Sequence, residues 1–138
     1  DVKKIPQNDF DFIIIDTPPY IFEEINALVK MADLVVIPTQ ASINDLLAID
    51  KTVQIIKENE AIDRSIIVFN RIKSNSSLKD KLNANFLELE VTIANTIIND
   101  YDAITNSIIT KGVESRHKAS AQLQNLTTEL MTKLLSNG

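Results

Sequence analysis

Residues 11–20 read DFIIIDTPPY, and the reading of this stretch decides the fold. Four consecutive branched or aromatic apolar residues, Phe12-Ile13-Ile14-Ile15, deliver one carboxylate, Asp16, into Thr17 and the paired Pro18 and Pro19. A run that is apolar at every position suits a strand covered on both faces, as in a parallel sheet. Such a strand ends where its backbone meets polar surroundings, and prolines cannot continue a central ladder because they have no N–H to donate. Asp16 is therefore expected at the carboxyl edge of a buried strand, where open α/β sheets place their ligands.

Working outward, three further strand-like runs alternate with helical patterns, the βαβα signature of a parallel sheet. Leu34-Val35-Val36-Ile37 is closed by Pro38, and Ile66-Ile67-Val68-Phe69 ends at Asn70-Arg71. A weaker fourth candidate falls between Val91 and Ile98. Between the first two runs, Ile25, Leu28, Val29 and Ala32 recur at helical spacing, with Glu23 and Glu24 in a first turn whose dipole favours anions. Ser42 with Asp45 reads as a capping box before the stripe Leu46, Ile49, Val53 and Ile56. Ser77 and Asp80 repeat that device before Leu78, Leu82 and Phe86. Asp100 can cap a helix carrying Ile104 and Ile108 that stops at Gly112. A last helix is expected over roughly residues 115–135, with Leu123, Leu126, Leu130 and Leu134 along one face.

The whole chain, 1–138, is expected to form part of one domain, long enough to bury a core. It has no cysteine, which excludes disulfides and thiolate metal sites and makes a reducing compartment the simple reading. No stretch approaches the roughly 18 to 20 apolar residues of a membrane span, and no signal peptide is visible, so a cytoplasmic protein is expected. A net charge of −5 argues against a uniformly basic nucleic-acid binder. Arg64, Arg71, Lys73, Lys79 and Lys81 nevertheless fall close together, either as ordinary solvated lysines and arginines or as a DNA-facing surface. A second basic cluster is Lys111, Arg116 and Lys118. His117 is the only histidine, which excludes a multi-histidine metal site; beside Arg116 and Lys118 it is expected to face solvent. Tyr20 and Tyr101 are too sparse for a base-stacking platform.

Asp16 is the leading chemical candidate. A carboxylate after a hydrophobic strand is how P-loop enzymes hold Mg²⁺ against nucleotide phosphates, the Walker-B role. A strand-end aspartate more often caps a loop, and the Thr-Pro-Pro that follows shifts the balance toward the metal. Asn70 reads either as a strand-end turn residue or as a reader of a base edge, since its amide offers both a donor and an acceptor.

The run DFIIIDTPP, then ADLVVIPTQAS, then a long helix and a strand ending VFNR, resembles the ParA/MinD family of deviant Walker ATPases, closest to the ParA partition proteins, from about Asp9 to Leu135. The resemblance implies a three-layer P-loop-NTPase-like α/β domain with a mainly parallel sheet. It implies that Asp16 holds the Mg²⁺ hydration shell, that Thr17, Pro18 and Pro19 form the switch sensing the γ-phosphate, and that Pro38 and Thr39 line a nucleotide-bridged dimer interface. Asn70 would read adenine, with Arg71 beside the base. The implied function is plasmid or chromosome partition: ATP-dependent homodimerisation, non-specific DNA binding through a surface that includes Arg64, Lys73, Lys79 and Lys81, and hydrolysis of ATP to ADP stimulated by a ParB-type adaptor on the nucleoid.

The departures matter as much. The family's KGGxGKT phosphate loop precedes the Walker-B strand, and nothing before Asp16 supplies one; the only glycines are Gly112 and Gly138. The chain is thus expected to be the C-terminal part of a longer Mg-dependent ATPase, inactive alone. No arginine lies between Arg71 and Arg116, although many relatives carry one near the position of Tyr101. Two alternatives stand beside this reading. One is a MinD-like positioning ATPase at a membrane, disfavoured because the last helix lacks basic residues opposite its leucines. The other is a non-enzymatic interaction module without a phosphate loop.

Overall fold

The computed structural model describes residues 10–18, 23–40, 43–73, 89–107, 112–114 and 117–136. Within them the elements are α1 (Ile25–Met31), β1 (Val35–Thr39), α2 (Ile43–Glu58), β2 (Ser65–Phe69), β3 (Thr92–Ile93), α3 (Asp102–Thr105) and α4 (Lys118–Ser136). The three strands form a parallel sheet in chain order, with Val35 to Thr39 of β1 in register with Ser65 to Phe69 of β2, and Ile66 and Ile67 beside Thr92 and Ile93. A parallel bridge between Ile72 and Asn99 continues the pairing beyond β2.

Helices cover both faces of the sheet. On one face Ile37, Ile67 and Phe69 are buried with Val29 of α1 and with Ile49, Val53 and Ile56 of α2. On the other, Ile66, Val68 and Ala94 pack against Leu126 and Leu130 of α4. Ile49, Val53 and Ile56 of the expected α2 stripe and Leu126 and Leu130 of the expected α4 stripe thus pack in the core, the Leu46 side chain lies outside what is described, and packing of the last helix against the sheet is the observed arrangement. All five residues of β2 are buried, which is why Ile66-Ile67-Val68-Phe69 can be apolar at every position.

β1 alternates instead, because only the face that carries Val35 and Ile37 is covered there, and its backbone pairs on one side only among the described residues. Val35 N–H donates to the Arg64 carbonyl and the Thr39 carbonyl accepts from Asn70 N–H, so Val35, Ile37 and Thr39 turn their backbone polar groups toward β2. Val36 and Pro38 turn theirs to the opposite edge, which is open among the described residues, and their side chains are exposed. Pro38 therefore continues the strand, where the sequence suggested a stop: on an open edge its missing N–H removes no ladder bond.

The strand expected at residues 12–15 is not formed. Phe12, Ile13, Ile14 and Ile15 are all exposed, Ile14 at 94 %, and no described strand pairs with them. A strand needs a neighbour for its N–H and C=O groups, and β1 does not serve as that neighbour here. The helix expected across Leu78, Leu82 and Phe86, with its Ser77 and Asp80 cap, lies outside the described residues, as do Ser42 and Ile108. Asp100 does not cap α3, whose N-cap is Tyr101 without a side-chain bond. Its carboxylate instead accepts from Arg71 Nε at 3.2 Å.

Candidate functional site

Parallel strands end together, so the carboxyl edge collects residues far apart in sequence. Thr39 ends β1, Asn70 follows β2, and the Asn70 N–H donates to the Thr39 carbonyl at 2.8 Å. Asn70, Arg71, Asn99, Asp100, Tyr101, Ile104 and Thr105 line an open cleft of about 90 Å³. Small-molecule sites run to about 300–1,000 Å³, so this cleft is too small to enclose a whole nucleotide.

Its chemistry is mixed. Asn70 contributes an amide with both donor and acceptor, and Tyr101 an aromatic surface. Arg71 has φ +57°, a left-handed conformation that costs a non-glycine residue on the order of 1–2 kcal/mol and that clusters at ligand sites. The Arg71–Asp100 ion pair joins the two sides of the cleft. Tyr101 meets His117 edge to face, with ring centroids 5.3 Å apart. His117 is exposed as expected, and its Nδ1 accepts the Ala119 N–H at the start of α4.

Four of the sequence-selected residues, Pro38, Thr39, Asn70 and Arg71, therefore sit on neighbouring strand ends at one edge. Pro38 is exposed and Thr39 buried. Asp16, Thr17 and Pro18 are all exposed, in a segment with which no described strand pairs. Pro19 lies outside the described residues. No group of three or more histidine, cysteine, aspartate or glutamate side chains suited to a metal occurs among the described residues. No described helix is long and apolar enough to cross a membrane.

The basic cluster from Arg64 to Lys81 is a cluster in sequence only, as far as it is described. Arg64 precedes β2 and Lys73 follows it, so the strand separates them to opposite edges of the sheet. Arg64 is half-buried, donating from Nη1 to the Glu60 carbonyl at 3.0 Å and from Nη2 to the Val29 carbonyl at 3.3 Å. Its guanidinium is thus engaged by two backbone carbonyls of the same chain. Lys73 is exposed, while Lys79 and Lys81 lie outside the described residues.

Two residues of α4 that the sequence did not single out, Gln122 and Glu129, make long-range polar contacts. Both reach the segment after β3. Glu129 accepts the N–H groups of Asn95 at 2.6 Å and Thr96 at 3.0 Å, and Asn95 Nδ2 at 3.2 Å. Their spacing was the available signal: positions 122, 126, 129, 130 and 133 fall on one helical face with Leu126 and Leu130. Burial alone would raise the Glu129 carboxyl, but the Asn95 and Thr96 donors outweigh it and hold it below the usual glutamate range. A carboxylate lowered on folding stabilises the native state above its unfolded pKa, near 4.3, and that contribution is lost as pH falls through the folded value. Glu129→Gln is expected to cost about 1 kcal/mol in urea unfolding at pH 7 and to flatten the stability loss below about pH 4; an unchanged acid profile would show that Glu129 does not supply this dependence.

Compared with protein-family models and with curated proteins, the chain matches none.

Proposed function

We propose that this chain is the C-terminal part of a ParA-type partition ATPase. In that protein ATP bridges two copies, the dimer binds DNA without sequence preference, and a ParB-type adaptor stimulates hydrolysis. The observation that carries the reading is the cleft at the carboxyl edge of a parallel sheet, where Asn70 and Arg71 end the central strand beside Thr39. The residues present fit the base end of ATP, with Asn70 pairing to the adenine edge and Arg71 beside it. They offer no glycine cradle for the phosphates. An additional strand bearing the phosphate loop would fit the open edge of β1, where Val36 presents its N–H and C=O, and it would give residues 12–15 a partner.

In the assembled enzyme Asp16 would hold Mg²⁺ through its hydration shell, Thr17 and Pro18 would respond to the γ-phosphate, and Pro38 and Thr39 would face the second copy. When bound there, Mg²⁺ would supply charge stabilisation to the phosphates. Calorimetry with MgATP tests the reading on this chain and on the full-length protein. Binding by the full-length protein alone, weakened about tenfold by Asn70→Ala, with hydrolysis abolished by Asp16→Ala, is the expected outcome. Absence of binding by both would leave the interaction module, the reading favoured by the exposed apolar residues 12–15.

For DNA, the surface reduces to Lys73, Lys79 and Lys81. Reversing these charges in the full-length protein is expected to weaken DNA binding and to lower its salt slope by about one unit for each phosphate no longer neutralised. Unchanged binding and slope would move the DNA surface elsewhere.

A further inference from the structure

Two α4 side chains grip the segment that forms one wall of the cleft. Gln122 Nε2 donates to Asn99 Oδ1 at 2.5 Å, and Gln122 Oε1 accepts the Asn99 N–H at 3.0 Å. Asn99 Nδ2 donates to the Ile72 carbonyl at 2.9 Å, and the same carbonyl accepts the Asp100 N–H at 3.2 Å. The backbone N–H, side-chain oxygen and side-chain nitrogen of Asn99 are all committed, so its position is over-determined. Glu129 holds Asn95 and Thr96 a few residues earlier. The wall formed by Asn99, Asp100 and Tyr101 is thereby fixed to α4, while the facing wall, Asn70 and Arg71, directly follows β2. The left-handed Arg71 is held to that wall by Asp100.

We propose that Gln122 is a positioning residue for the base end of the bound nucleotide, setting the distance between the Asn99–Tyr101 wall and Asn70–Arg71 without touching the ligand itself. The inference rests on the nucleotide reading above. Without the Gln122 amide, two of the hydrogen bonds that hold Asn99 are gone, and water replaces them without fixing the segment. Tyr101, beyond the Asp100–Ile72 backbone bond that remains, then shifts relative to Asn70. The hydrogen-bonded chain runs only to the base end, so interactions with the phosphates are left in place.

The test compares ATP and GTP affinities, by competition, for the full-length protein and for Gln122→Ala, Gln122→Glu and Gln124→Ala. Gln124 is exposed on the same helix and serves as the control. Gln122→Ala is expected to weaken ATP by about tenfold while GTP stays within about twofold, so discrimination between the bases falls. Gln122→Glu, which keeps an acceptor for the Asn99 N–H, should recover part of the affinity and carries the test if the alanine variant fails to fold. Equal weakening of ATP and GTP would mean general loosening and would overturn the proposal. Unchanged affinities for both would overturn it while leaving the nucleotide reading intact. Failure of the unaltered protein to bind either nucleotide would bring down both.

Discussion

Ile67→Ala is expected to remove about 3 kcal/mol of stability, measured as a lower midpoint in urea at an unchanged slope. Ile67 is fully buried at the centre of β2, between Ile37 of β1 and Ile93 of β3, and it packs into the layer formed with α1 and α2. Truncating it removes apolar packing and leaves a cavity that the flanking strands cannot close without breaking register. Domains of this size hold only about 5–15 kcal/mol in all, so this one change consumes a large share. Val36→Ala, on the exposed side of β1, is the matched control and should stay within about 0.5 kcal/mol. A cost below about 1 kcal/mol at Ile67 would mean that the core does not centre on β2.

Arg64→Ala should come second, at about 2 kcal/mol. The side chain spans from the Glu60 carbonyl, just after α2, to the Val29 carbonyl in α1. It ties two helices to the turn that enters β2. Its Nε is buried without a partner, which reduces the net gain but does not cancel two charge-assisted bonds. Arg64→Lys should rescue little, because an ammonium lacks the fork that reaches both carbonyls. DNA binding by the full-length protein, measured well below the melting temperature, should not change. A variant that kept its stability but no longer bound DNA would refute this assignment and return Arg64 to the nucleic-acid surface.

The contrast between Arg64 and Lys73 shows where sequence reading reaches its limit. Nine positions apart, they look like one basic patch, yet the intervening strand sends them to opposite edges of the sheet. Apolar runs were legible where burial was two-sided: Ile66 to Phe69 of β2 needs no further context. The run at residues 12–15 has the same local character and is not a strand, because pairing is a property of the neighbour as much as of the segment. Of the residues that line the cleft, Asn70 was singled out by its place after an apolar run and Arg71 by the family resemblance. Gln122 and Glu129 were not, since their partners lie 23 and 34 residues away and a polar residue on a helix ordinarily meets water. Asp100 was read as a cap because local rules favour it, and the salt bridge to Arg71 displaced that role.

Pro38 carries one more consequence. An open strand edge with a complete row of N–H and C=O groups is a template on which identical chains can stack. Here the outward-facing positions are Val36 and Pro38, and proline deletes one of the donors. The edge can therefore register one short incoming strand at Val36 but cannot propagate an extended ladder past it. The same residue that lets β1 run on to Thr39 thus guards an otherwise adhesive border against fibril-like growth, while leaving room for a single specific guest.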